Sequence, residues 1–224
     1  MKSSQFPKDM KDCVLALQMR QGNSNIVADL SPEHNHGEIF GAVRSWNNGL
    51  IFNSCYIDCG NDASLDITGD LSLEIGMNIN TYETKNPLFN IGTNGAYYLE
   101  LYQRTPPSNR VIFWHNSTAV LSAIDLLEPI NTWQHLVITR SHTTDKKVRM
   151  YVNGNLVATS AAYVVDPAAA TQNLILGAYS TFFLNGIIDE ARIYKRDLTA
   201  AEAFKRYTNS KIARWKALAH TKQD

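Results

Sequence analysis

At 224 residues the chain has the length of one large domain, and all-β sandwiches often reach this size as a single unit. Lys plus Arg and Asp plus Glu both number 21, so no net field steers the protein onto nucleic acid or an anionic membrane. A hydrophobic share of 44% with only 19% charged residues excludes a disordered chain.

The start, Met1 to Phe6, runs into Pro7, Lys8, Asp9, Lys11 and Asp12, so no apolar run of signal-peptide length follows it. Nor does any stretch approach the ~18 apolar residues of a membrane span. These features predict a protein made in the cytoplasm without a signal peptide. Cys55 and Cys59 fall in FNSCYIDCG, which reads as a strand. Four residues at ~3.3 Å each set them ~13 Å apart, too far for a disulfide, so both cysteines and Cys13 are expected as free, buried thiols. Without a second cysteine pair they also fall short of a tetrahedral zinc set.

In LSLEIGMNIN, residues 71 to 80, Leu71, Leu73, Ile75, Met77 and Ile79 face one way and Ser72, Glu74, Gly76, Asn78 and Asn80 the other, the pattern of a half-buried strand. The same period of two recurs in AYYLELYQ (96–103), RVIFWHN (110–116), HLVITR (135–140) and KVRMYV (147–152), with apolar runs in NLILGA (173–178) and GIIDEARIY (186–194). Asn153 and Gly154, between VRMYV and NLVAT, suit the positive φ of a tight hairpin turn. Thr199 and Glu202 have capping-box spacing, which predicts a short helix from about Ala200 to Tyr207. Beyond it Ile212, Trp215 and Leu218 stand at helical spacing and predict a second amphipathic segment that docks on the sandwich or reaches a partner. Many short strands and one terminal helix predict two stacked antiparallel sheets in one domain.

Six segments carry a family likeness: ADLSPEHNHGEI (28–39), GLIFNSCYIDCGNDASLDITGDLSLEIGMNI (49–79), TWQHLVITR (132–140), VRMYVNGNLVATS (148–160), LILGA (174–178) and NGIIDEARIYKRDLTAAE (185–202). In this order they resemble the laminin-G-like, concanavalin A-like jelly-roll domains. The resemblance implies an all-β, two-sheet antiparallel sandwich over residues 13–207, with an N-terminal extension over 1–12 and a C-terminal amphipathic extension over 208–224. The glucanases of that superfamily place Glu-x-Asp-x-Glu on one strand. Nothing here reproduces it: Glu74 and Glu100 are single, and adjacent Asp189 and Glu190 point to opposite faces. Only an accidental cross-strand pairing of Glu74 with Glu100 would supply the two carboxyls of a glycosidase, so the expectation is a protein that is not an enzyme.

DLSPEHNHG resembles the family's Asp-x-Ser-Gly-x-x-x-His-Gly loop, which in many members joins an Asp of the last strand in holding calcium. Carried over, Asp29, Asn35 and Asp189 would hold a structural Ca2+, although Pro32 replaces the usual glycine. The alternative is that Asp29, Ser31 and Asn35 bond their own turn. His34 and His36 have no third histidine or cysteine nearby in sequence and read as turn histidines. If Leu99 and Leu101 face the core, Tyr98, Glu100 and Tyr102 face outward; Val148, Met150 and Val152 likewise turn Arg149 and Tyr151 out. Aromatic faces with charged hydrogen-bonding groups suit a sugar, and equally suit ordinary cross-strand packing or a subunit interface.

Two functions are expected from this reading. One is a structural and recognition protein of a phage or virus particle, a decoration, fibre or adhesion element with a glycan-binding surface, contacting protein partners or copies of itself. The other is a lectin-like carbohydrate-binding module of a cellular protein. Neither involves nucleic acid or membrane insertion.

Overall fold

The structure is a computed structural model, which describes residues 10–19, 24–41, 43–45, 49–92, 95–105, 108–124 and 130–220. Strands run in chain order as β1 (Cys13–Gln18), β2 (Ile26–Val27), β3 (Gly37–Phe40), β4 (Val43–Ser45), β5 (Gly49–Phe52), β6 (Tyr56–Asp58), β7 (Leu71–Ile79), β8 (Lys85–Asn90) and β9 (Tyr98–Thr105). They continue as β10 (Ser108–His115), β11 (Thr118–Ile124), β12 (Trp133–Ser141), β13 (Lys147–Val152), β14 (Asn155–Thr159), β15 (Ile175–Leu176), β16 (Ala178–Tyr179), β17 (Phe182–Phe183) and β18 (Gly186–Tyr194), followed by helix α1 (Ala200–His220).

These strands build two antiparallel sheets. Sheet A has the order β14-β13-β12-β7-β18-β5-β4, with β1 also paired to β18; sheet B has the order β11-β10-β9-β8-β15-β6-β3-β2. Residues Gly186 to Ile188 of β18 pair with β5 and Glu190 to Tyr194 with β1, and Asp189 stands at the irregularity between the two runs. β16 and β17 form a separate small hairpin. The inward-facing Leu71, Leu73, Ile75, Met77 and Ile79 of β7 are fully buried and share one core with Leu99, Leu101 and Phe113 of sheet B. Removing this apolar surface from water at ~25 cal/mol per Å² is the main term holding the sheets together.

Three local expectations change. The segment FNSCYIDCG is not one strand: β5 ends at Phe52, Ser54 takes a φ of 56°, and the chain crosses from sheet A to sheet B before β6. Cys55 and Cys59 therefore flank a three-residue strand, and both remain free and buried, as does Cys13. Burial pushes the Cys13 thiol up to about 12, so it is a poor nucleophile. The terminal helical signals form one continuous helix, Ala200–His220, opened by the predicted box in which the Thr199 backbone N–H donates to Glu202 (2.9 Å) and the Glu202 N–H to Thr199 Oγ1 (3.3 Å). The side chains of Ile212, Trp215 and Leu218 lie outside the described residues. Finally, β7 is not half-buried: Ala203 of α1 packs in a second cluster with Cys13, Ala16, Val137, Tyr151, Tyr194 and Leu198, so the outward face of sheet A is itself covered. The Asn153–Gly154 turn is as expected, with φ of 50° and 78°.

Arg140 shows what strand alternation alone omits. It shares the inward side of β12 with Leu136 and Ile138 and is fully buried at the sandwich end. Its guanidinium donates to Ala96 O (2.5 Å), Ile67 O (2.5 Å) and Gly69 O (2.8 Å), tying two loops to the sheet. Burial lowers its pKa to about 10, still far above neutrality, so it stays a cation whose rigid fork satisfies three carbonyls. No described helix is long and apolar enough to cross a membrane.

Candidate functional site

The outward face of sheet B brings aromatic and charged side chains together. Leu99 and Leu101 go into the core, and Tyr98, Glu100 and Tyr102 point away from it, as the alternation predicts. In register beside them on β10 stand Trp114, opposite Tyr98, and Arg110, opposite Tyr102; on β8, Lys85 also lies opposite Tyr102. The β16–β17 hairpin adds a layer above this face. Asn90 Nδ2 donates to Ala178 O at 3.3 Å, and the rings of Tyr98 and Tyr179 meet at 5.1 Å.

Under that layer Tyr98 and Glu100 are each only 1% exposed. Glu100 Oε2 accepts the Tyr98 hydroxyl at 2.6 Å, and Glu100 Oε1 accepts the Trp114 indole N–H at 3.1 Å. Lys85 Nζ lies 3.9 Å from Glu100 Oε2 and 5.4 and 5.5 Å from the ring centres of Tyr179 and Phe182. A buried carboxylate would be costly alone, but these donors and the nearby ammonium compensate it. The Tyr98 hydroxyl is driven well above its usual pKa by burial and then by its bond to Glu100, so it remains a donor. Glu100 thus fixes the rings of Tyr98 and Trp114, while Tyr102, Trp114, Tyr179 and Phe182 stay half-buried with edges available to a ligand. Along the same face Phe40 and Tyr56, paired across β3 and β6, stack at 5.0 Å. Flat apolar surfaces with a few fixed polar groups can hold a polyhydroxylated ring and orient its hydroxyls.

The other predicted ligand residues lie elsewhere. Arg149 and Tyr151 are on β13 of sheet A, so the five candidates divide between two outward faces with the core between them. Alternation tells inward from outward along a strand but not which sheet a strand joins. Tyr151 is only 3% exposed because the β18–α1 region packs over it, and Arg149 is ion-paired with Asp145. The same division separates Glu74 in sheet A from Glu100 in sheet B and removes the cross-strand pairing that a two-carboxylate hydrolysis would use.

Asp29 and Asn35 do meet, and they close their own turn. Asp29 Oδ1 accepts from the Ala16 and Ser31 N–H groups (2.7 and 2.8 Å), and Oδ2 from Ser31 Oγ (2.6 Å) and the Asn35 N–H (2.7 Å). The Asn35 amide donates to Val14 O and Ser64 Oγ, both at 2.8 Å. Asp189 flanks the same strand further along, where its carbonyl accepts from the Met19 N–H at 2.9 Å. Calcium takes about 6 to 8 oxygens, and the two oxygens of Asp29, with four donors between them, serve their own turn. His36 accepts the Asp29 N–H at 3.0 Å on Nδ1, the turn role expected of it.

Sequence reasoning missed a buried charge network beneath α1. Glu74, His135 and Glu190 bring ligand-type atoms within 4.8 Å of one another. Arg192, however, already pairs with both acids, at 3.0 Å from Glu74 and 3.0 Å from Glu190, and Arg206 of α1 stands 3.9 Å from Glu74; His135 Nε2 is 3.0 Å from Glu74, and the Tyr194 hydroxyl donates to Glu74 at 3.0 Å. Burial would raise the Glu74 pKa, but Arg192 and the His135 bond outweigh it and hold the carboxyl at about 2. The arrangement is an ion-pair network that docks a helix. Period-two alternation put Glu74 outward in the sequence; nothing there showed that a helix would cover it.

Two face-to-face antiparallel sheets with a capped terminal helix define a jelly-roll sandwich. Residues 53–203 match the family model described as the concanavalin A-like lectin/glucanases superfamily, and the chain belongs to that family. Among solved structures, the binding domain of Paraclostridial mosquitocidal protein 1 is similar with a TM-score of 0.68 at 14% identity, over 91% of this chain and 53% of that one. The binding domain of botulinum neurotoxin DC in complex with SialylT gives 0.68 at 12% identity, over 90% of this chain and 52% of that one. Domain 4 of AbnA, an extracellular arabinanase from Geobacillus stearothermophilus, in complex with arabinotriose, gives 0.66 at 16% identity, over 87% of this chain and 97% of that one. The chain thus spans about half the length of the two toxin chains. At these identities the likeness is one of fold. No curated protein matches the sequence.

Proposed function

We propose that this protein is a non-catalytic glycan-recognition jelly roll whose binding platform is the outward face of β8, β9 and β10 with the β16–β17 hairpin. The observation that carries this reading is the Glu100 anchor, which locks Tyr98 and Trp114 while Lys85 sits over Tyr179 and Phe182. The glycan-bound toxin and arabinanase domains of the same fold support it. A non-catalytic role is supported by chemistry: glycoside hydrolysis needs a second carboxyl ~5 to 9.5 Å away, and the described outward residues of β8 to β10 include no other acid beside Glu100. The same platform serves a decoration or adhesion element of a phage or virus particle that meets a host glycan.

A glycan array with the full chain tests the proposal, followed by calorimetry on Trp114→Ala and Tyr179→Ala. Each variant is expected to weaken binding about tenfold, the loss of one stacked ring, while melting as a folded protein. An array without a binder, or a binder indifferent to both substitutions, would overturn it.

A further inference from the structure

Helix α1 is 21 residues long, about 30 Å at ~1.5 Å per residue, and its first half sits on sheet A. Ala203, Arg206 and Ser210 are buried there; Arg206 lies 3.9 Å from Glu74 and 5.1 Å from the ring centre of Tyr194, and the Tyr207 ring meets His135 at 6.1 Å. These residues share one side of the helix. Phe204 stands about a third of a turn away. It lies so close to the β13–β14 turn that a Cβ at Gly154 would come within 3.0 Å of its Cα, yet it remains 53% exposed, as does Leu156 on edge strand β14. At ~100° per residue, positions 212, 215 and 218 fall within the same third of the circumference as Phe204, and the sequence places Ile, Trp and Leu there. An apolar stripe about 20 Å long thus runs along a side of α1 that is not the one seated on the sandwich.

The equal totals of acid and base in the chain conceal an uneven division. From Ala203 to His220 the helix has five Lys and Arg and no Asp or Glu, so the rest of the chain carries a net −5. Arg206 belongs to the buried side; of the others, Lys205 and Lys216 fall by position on one border of the stripe and Lys211 and Arg214 on the other. This pattern narrows the partner. A second copy of the helix would bring like charges together, and a nucleic acid has no use for an apolar stripe. An acidic protein groove that wraps a helix needs most of its circumference, whereas the sandwich already occupies one side. A lipid surface needs a single face, and anionic headgroups match the basic borders while the acyl boundary takes the apolar side chains, with tryptophan favoured at the interface.

We propose that α1 is an interfacial helix that docks the protein on an anionic lipid surface, its Phe204–Ile212–Trp215–Leu218 stripe bordered by Lys205, Lys211, Arg214 and Lys216, while Ala203, Arg206 and Ser210 tie it to the sandwich. The helix lies on the membrane and does not span it. This docking is independent of the aromatic platform on sheet B.

The test is co-sedimentation of the full chain with phosphatidylcholine vesicles, with and without about 30% phosphatidylserine and free of glycolipid, so that a failed glycan platform does not affect the result. Saturable binding is expected on the anionic vesicles alone, and it should weaken as salt rises from about 0.1 M to about 0.5 M. Lys211→Gln with Lys216→Gln, and separately Trp215→Ala, should each weaken it about tenfold with an unchanged melting temperature, and Trp114→Ala should leave it intact. Sedimentation velocity without lipid should show no self-association. Absence of binding by the unaltered chain, equal binding to both vesicle types, or binding indifferent to both helix variants would overturn the proposal. So would a lipid-free oligomer dissolved by Trp215→Ala, which would give the stripe to a second copy.

Discussion

Trp114 reaches across from β10 to donate its indole N–H to Glu100 at 3.1 Å, and a carboxylate 1% exposed thereby becomes the peg on which two aromatic rings hang. Replacing Glu100 by Ala strands the buried Tyr98 hydroxyl and the indole N–H together. A stability loss of about 3 kcal/mol is expected in urea unfolding, with Glu100→Gln intermediate because one oxygen survives. The Trp114 environment should change with it, seen as a shift in tryptophan emission relative to Trp114→Phe. A loss under about 0.5 kcal/mol, the level of an ordinary surface change, would show that Glu100 is not the anchor.

Acid should loosen the protein in two steps. His115 is fully buried against Tyr163 and bonded to Val165 O at 2.8 Å; burial lowers its pKa to about 4 from 6.5. The unfolded chain therefore binds this proton first, and stability present above pH 6.5 is lost as the pH falls toward about 4. Glu74 acts below that: its folded pKa of about 2 lies under the ordinary 4.5, so its contribution is present above 4.5 and lost as the pH falls toward about 2. Unfolding free energy measured against pH should flatten between pH 4 and 6.5 in His115→Phe. Glu74→Ala should cost ~3–5 kcal/mol at neutral pH, because Arg192 and Arg206 are left facing a buried gap. A wild-type profile flat from pH 7 to 3 would contradict both assignments.

The sandwich was readable because its strands obey period two where they bury one face. The five apolar positions of β7, the Asn153–Gly154 turn and the Thr199–Glu202 cap each encode their local structure within a few residues. Sheet membership is not local. The crossing at Ser54 and the two-residue strands β16 and β17 are too short for a period to show, yet the hairpin they make is what covers Tyr98 and Glu100. Half the platform was visible in YLELY; Trp114 could have joined it, since the same alternation along RVIFWHN sets it outward with Arg110. The burial of Glu74 and Tyr151 comes from packing by a segment some fifty or more positions away, which no strand pattern carries.

Asp29 gives the last prediction, because the loop that resembles a calcium site is closed by hydrogen bonds. With four donors on its two oxygens, its stabilising role needs no ion, and the melting temperature should be the same in EDTA and in calcium chloride. Asp29→Ala should nevertheless destabilise by about 3 kcal/mol, since the buried Ala16, Ser31 and Asn35 N–H groups lose their acceptor; at 2–4 °C per kcal/mol this is a fall of roughly 6–12 °C. Scanning calorimetry of both proteins in both buffers separates the possibilities. A chelator-sensitive melt in the wild type that becomes insensitive in Asp29→Ala would mean that the carboxylate exchanges its donors for a cation, and the turn-closing role would have to be given up.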